Sequence, residues 1–305
     1  MTQNRLYYLA LLLMGLAWGF VFPITKIALS TGYTAIGIMV WQTVIGIFLM
    51  GAITLLRGKK LVFSARYMLL FIGISTLGVV TPNYFSYTAT ANLPAGIMSI
   101  LIALVPLFAM PIALLMGFER PRMLRLLGLG FGAAAVILMI GPEASLPDPA
   151  KYGFVLLGML APLAYGLEAN FLQWIGDQDI DPFQMLFGAS VVGLVISLPI
   201  AIGMGVYITP FQPWGAAEWG IIVATVVNLI AYVGYIWLVG RAGAVFASQV
   251  GYVVTGAGVL ASMLILGERY SGYIWGALAL MMVGLFLVRP RDNGDVSSND
   301  AAGKA

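Results

Sequence analysis

Apolar residues run along this chain in blocks of roughly 20, the length a helix needs to cross a bilayer, and Gly, Pro and charged residues punctuate it at about that interval. The blocks fall at 6–29, 35–56, 67–88, 95–116, 124–142, 152–175, 183–205, 217–238, 244–266 and 271–289. They predict ten transmembrane helices in an all-α, polytopic membrane protein. The first block follows a weakly basic start and leads into further apolar segments with no A-x-A-like cleavage site, so it predicts a spanning helix and not a signal peptide. The tail 291–305 is polar and built from small residues, which predicts disorder.

The pattern repeats. "LAWG" at 16–19 returns as "LAYG" at 163–166, Gly46 meets Gly193, Tyr84 and Tyr87 meet Tyr232 and Tyr235, and Ser99 meets Ser248. Glu119 and Arg120, closing the fourth block, meet Glu268 and Arg269, closing the ninth. These five landmarks keep their order at offsets of 147 to 149, which predicts a duplication with halves at 1–145 and 146–290. Five crossings is an odd number, so the second half enters the bilayer from the opposite side. The expected architecture is therefore two inverted five-helix repeats. The Glu-Arg corners themselves read as helix-end anchors at headgroup level.

Direction follows from the short loops, because Lys and Arg resist translocation. With the N-terminus inside, Arg5, Arg57, Lys59, Lys60, Arg66, Arg120, Arg122, Arg125, Arg241, Arg289, Arg291 and Lys304 are cytoplasmic, and only Lys151 and Arg269 lie outside. Both termini are then expected in the cytoplasm. The loop 176–181 is the exception, with three Asp and no base on the predicted cytoplasmic side.

Composition narrows the chemistry. The 305 residues are 61% hydrophobic and 9% charged, with a mean hydropathy of +0.98, so the bilayer is part of the solvent. The absence of Cys and His removes disulfides, thiolate or imidazole metal sites and Ser-His or Cys-His nucleophiles. Every Asp lies in a loop or the tail, which leaves no intramembrane aspartyl dyad for an enzyme. A net charge of +3, spread thinly, does not suggest nucleic-acid binding, and no cofactor is expected.

"LAWGFVFPITKIAL", the two Glu-Arg corners and the Gly-led fifth and tenth blocks resemble the drug/metabolite transporter superfamily, in its EamA-type branch. The likeness runs from about residue 6 to 289. It implies a ten-helix carrier of a bacterial inner membrane, with a central cavity lined mainly by blocks one, three, four, six, eight and nine. Within that branch, length and aromatic-rich spans resemble the aromatic amino-acid exporters of the YddG type. Export as a direction is implied by this likeness.

Polar groups at bilayer depth are costly and face a cavity or a partner. Two ionisable residues are read as lying within the blocks. Lys26 is near the outer end of the first and either snorkels or serves a substrate or gate. Glu168, one turn after Tyr165, either couples a proton or is a satisfied structural group. Asn228, Tyr232 and Tyr235 share one helical face, as do Ser248, Tyr252 and Thr255 with Gln249 beside them; Asn83 and Tyr87 are one turn apart next to Tyr84. The expected cavity set is Trp18, Asn83, Tyr84, Tyr87, Ser99, Tyr165, Glu168, Asn228, Tyr232, Tyr235, Ser248, Gln249 and Tyr252. Gating or coupling is expected of Lys26, Glu168, Pro23 and Pro106. Pairs of Gly at 128 and 132 and at 272 and 276 read as packing seams.

A mostly uncharged cavity rich in Tyr, Trp, Asn and Gln suits a small amphipathic solute, above all an aromatic or neutral amino acid. Another metabolite or a cationic drug is the alternative, with a passive channel or a membrane-embedded enzyme further off. The expected partners are a small-molecule substrate and lipid; monomer and homodimer stay equally open.

Overall fold

The computed structural model describes residues 2–118, 121, 123–141, 148–176, 178–242 and 249–288. The Glu119–Arg120 corner, Arg122, Ser248 and the tail 291–305 lie outside them.

Within the described residues every regular element is helical, as a lipid environment demands of a chain that must satisfy its own backbone. Eight stretches are long and apolar enough to cross a membrane: Arg5–Ser30, Ala35–Leu56, Ala65–Asn92, Ala95–Leu115, Met123–Ile140, Tyr152–Ile175, Pro182–Gly203 and Ala216–Tyr235. The blocks expected at 244–266 and 271–289 appear as shorter apolar helices, Val250–Leu266 and Gly272–Leu287. Large apolar side chains face outward along these helices, among them Phe48 at 73%, Leu115 at 89% and Leu264 at 83% exposure. Such a surface is at home only in lipid.

The helices are α1 (Thr2–Ser30), α2 (Ala35–Leu56), α3 (Met68–Gly73), α4 (Thr81–Asn92), α5 (Ala95–Ile102), α6 (Val105–Leu115), α7 (Met123–Ile140), α8 (Tyr152–Gly158), α9 (Leu160–Ile175), α10 (Pro182–Gly203), α11 (Ala216–Ala242), α12 (Val250–Leu266) and α13 (Gly272–Leu287). Three apolar blocks are broken inside the membrane, and prolines account for the breaks. Pro106 denies an N–H to the carbonyl of Ile102, and α5 ends at Ile102; Pro162 does the same to Gly158, and α8 ends at Gly158. Pro82 removes the donor for Gly78, and residues Ile74–Val80 between α3 and α4 wind as a π-helix instead. Pro23, by contrast, sits inside an unbroken α1.

α1 lies against α11 and α12, α9 against α4 and α6, α2 against α10, and α7 against α13. Glycines make the two like-with-like pairs close. A Cβ on Gly46 of α2 would stand 2.5 Å from Ser190 Oγ of α10, and one on Gly193 of α10 would stand 3.0 Å from Thr43 Cγ2 of α2. In the α7–α13 seam, a Cβ on Gly128 would meet the Gly284 carbonyl at 2.8 Å, whereas Gly272 has open space around it. The seam on α13 is thus built from Gly276 and Gly284, not from the pair at 272 and 276.

The acidic loop finds its partners at one end of the bundle. Asp181 accepts from Arg57 at 2.9 Å and from Lys59 at 2.8 Å, and Asp179 pairs with Arg66 at 2.7 Å. The loop that looked out of place for want of a base therefore neutralises its neighbour, and 57–66 and 178–181 share one face. Among the described residues, two charged side chains are buried more deeply than the half-buried Lys26 and Glu168: Arg125, 6% exposed at the start of α7, and Glu218, 5% exposed in the first turn of α11.

Candidate functional site

Polar and aromatic side chains from α1, α2, α4, α9 and α11 meet in the interior of the bundle. On one side, Trp18 of α1 donates its indole N–H to Asn228 Oδ1 of α11 at 2.9 Å, and its ring lies 5.7 Å from that of Tyr235. On the other, Tyr165 of α9 donates to Asn83 Oδ1 of α4 at 3.3 Å. Asn83 in turn donates to Gln42 Oε1 of α2 at 3.4 Å, and the same amide holds the Tyr87 hydroxyl, with Nε2 at 2.6 Å and Oε1 at 2.9 Å. Each of these groups would be expensive alone in hydrocarbon; linked across helices they satisfy one another.

Gln42 is absent from the expected set, although it is an amide inside an apolar run, the very signal that singled out Asn83. Glu168 stands one turn along α9 from Tyr165, with its carboxylate against the backbone of Gly78 in the π-helical segment. Tyr165 and Tyr232 lie within electrostatic range of it.

The remaining expected residues lie elsewhere. Ser99 is fully buried and donates to the Gly96 carbonyl at 2.7 Å, in the seam where a Cβ on Gly258 of α12 would stand 2.5 Å from it. Tyr84 is 41% exposed and sits edge-on to Phe85. Gln249 stands at the N-cap position of α12 without a side-chain capping bond, and the first turn of that helix contains Tyr252.

Lys26 and Glu268 come together at one end of the bundle, around a cavity of about 260 Å³ also lined by Asn92, Pro94, Asp148 and Lys151. Lys26 donates to the carbonyls of Thr90 at 2.6 Å, Ala91 at 3.0 Å and Leu93 at 3.0 Å, which places its charge at the C-terminal end of α4. Glu268 accepts from the amides of Ala95 at 2.7 Å and Gly96 at 3.2 Å, at the N-terminal end of α5, and from the Tyr270 hydroxyl. A cation at a helix C-terminus and an anion at an N-terminus both complement the helix dipole, so the two grip the 92–95 turn from its two sides. Glu268 does anchor a helix end, but that of another helix rather than its own corner. Burial and the Glu268 carboxylate both push the Tyr270 hydroxyl up from its ordinary range.

Among the described residues there is no group of three or more Asp or Glu able to hold a metal ion.

A family model described as the EamA-like transporter family matches this chain twice, over residues 5–141 and 153–289. The uncharacterized inner membrane transporter YedA of Escherichia coli strain K12 is 25% identical over 288 residues, covering 92% of this chain and 89% of that protein. YedA of Escherichia coli O157:H7 matches to the same extent. One crystal structure superposes with a TM-score of 0.60 at 17% sequence identity, over 91% of this chain and 97% of that one, a likeness of fold alone.

Proposed function

The chain belongs to the EamA-like transporter family, a family of membrane transporters and not of enzymes, and from that footing we propose a secondary carrier working by alternating access. Its ten crossings form two inverted five-helix halves, 1–145 and 146–290. Its cargo is a small amphipathic solute, foremost an aromatic or neutral amino acid, moved outward across a bacterial inner membrane.

The observation that carries this reading is the pattern of helix pairing. Exchange the halves, so that α1 takes the place of α9, α11 that of α4, and α12 that of α6. The pairs α1–α11 and α1–α12 then become α9–α4 and α9–α6, while α2–α10 and α7–α13 map onto themselves. The contacts follow at residue level. Trp18 and Tyr165, 147 positions apart, each donate to an asparagine of the neighbour so exchanged, and Gly46 on Ser190 is answered by Gly193 on Thr43. Two interchangeable halves around a shared polar interior can favour either side of the membrane at similar cost, which alternating access requires.

The interior supports the cargo class. Indole and phenol rings offer stacking, and amides on three helices read a polar head. A sugar phosphate would call for a cationic clamp, and Lys26 is already engaged with three carbonyls. Cytoplasmic termini agree with 57–66 and 178–181 sharing one face and Lys26, Lys151 and Glu268 sharing another.

The test is counterflow in liposomes containing the purified chain. A carrier accumulates labelled phenylalanine or threonine against unlabelled solute inside, and the rate saturates. Flux that rises linearly with concentration and shows no exchange overturns it.

A further inference from the structure

We propose that Glu168 is a subsite for an ammonium group of the cargo, so that the solutes carried are amines with an apolar or aromatic body. This rests on the carrier reading and sharpens it.

Among the described residues, three carboxylates lie wholly or partly buried beyond the ion-paired loops, and two are saturated by the protein. Glu218 accepts from the Gly215 amide at 2.7 Å, from Gln212 at 2.9 Å and from the Tyr33 hydroxyl. Glu268 accepts from two backbone amides and a phenol. Glu168 has neither a hydrogen bond nor an ion pair among the described residues. The chain thus equips two of these carboxylates with donors and leaves the third, half-buried, without one among the described residues. Lys26 is committed to the 92–95 turn.

The surroundings fit a cation from outside the protein. Glu168 lies where α9, α11 and the Ile74–Val80 segment converge, facing the interior and not lipid. Gly78 keeps open the space its carboxylate occupies, since any Cβ there would overlap it. Tyr165 and Tyr232 lie within electrostatic range of the spot, and phenol rings attract ammonium groups as well as aromatic bodies. A carboxylate without a protein donor among the described residues, with two phenols close by, recognises a protonated amine and nothing anionic.

The test is direct binding to the purified full chain in detergent, by calorimetry, of three probes that share a phenyl body: phenethylamine, 2-phenylethanol and 3-phenylpropionate. The amine is expected to bind about 10- to 100-fold more tightly than the alcohol, the range for a hydrogen bond to a charged group, with the acid weakest. Glu168→Gln should bring the amine to the level of the alcohol and leave the alcohol unchanged. Gly78→Ala, which keeps the carboxylate but crowds it, should give an intermediate loss and serves if the first variant does not fold. Equal binding of amine and alcohol by the native chain, or undiminished amine binding in both variants, overturns the proposal. Because binding is read without transport, selective amine binding with no counterflow would sink the carrier reading alone, and counterflow without amine preference would sink this one alone.

Discussion

The indole of Trp18 and the amide of Asn228 lie 2.9 Å apart, joining helices whose residues are separated by 210 positions in the chain. The bond joins α1 to α11 and sits at the wall of the polar interior. Trp18→Phe and Asn228→Leu should each lower the rate of counterflow, and a double-mutant cycle on thermal unfolding should show coupling of about 0.6–1.5 kcal/mol, typical of a polar contact between membrane helices. Additive single effects would mean that the bond contributes nothing to the fold.

Gly46 and Ser190 form the tighter half of the α2–α10 contact. Gly46→Val should destabilise by about 1–3 kcal/mol through overpacking. Ser190→Gly in the same chain should recover most of that loss, because it removes the atom that a Cβ at 46 would strike. Gly193→Val, against the Thr43 methyl and with Ser75 Oγ also 3.2 Å away, should not be rescued by Ser190→Gly. Melting temperatures of the four proteins in one detergent decide it.

Asp181 brings a pH dependence whose sign can be worked out. Burial raises its carboxyl, but the Lys59 ammonium, the Gln184 amide and the Arg57 guanidinium outweigh it and hold the group below its ordinary value of 3.8. A carboxyl lowered on folding stabilises above its unfolded value, and that stability is lost as pH falls through the folded one. Asp181→Asn keeps an oxygen to cap α10 while removing the charge. The native chain should melt higher than this variant at pH 7, and the gap should close below about pH 4. The partners are nearly half exposed, so the gap at pH 7 corresponds to no more than about 1 kcal/mol.

Lys26 and Glu268 hold the turn between α4 and α5 from opposite sides. Lys26→Met leaves three carbonyls short of a donor and should cost about 1.5–3 kcal/mol in unfolding free energy. Glu268→Gln retains one acceptor oxygen and should cost less. Hydrogen exchange should rise at the amides of Ala95 and Gly96 in the Glu268 variant, and unchanged protection there would show that the carboxylate does not hold that end.

Much of the bundle was readable from local pattern. The block at 35–56 coincides with α2, and that at 95–116 ends one residue beyond α6, because the cost of burying each residue in lipid accumulates along the chain and needs no knowledge of neighbours. The prolines at 106 and 162 could be placed inside spans, and the helices end at the carbonyls four residues before them, a rule of covalent geometry.

Hydrogen-bond partners follow a different logic. Gln42 reads as one amide in an apolar run until Tyr87 and Asn83 are brought beside it from 45 and 41 positions away. Glu168 and Glu218 look alike in a hydropathy profile, yet one is bare and the other saturated, since Tyr33 and Gln212 reach Glu218 and no donor among the described residues reaches Glu168. Lys26 could be placed near a membrane surface by composition, but its commitment to Thr90, Ala91 and Leu93 arises only where α1 crosses the end of α4. Hydrophobicity is a property each residue carries with it, so helices and membrane were written in the order of the letters. Satisfaction of a polar group is a relation between residues, and it came into being when helices distant in the chain packed side by side.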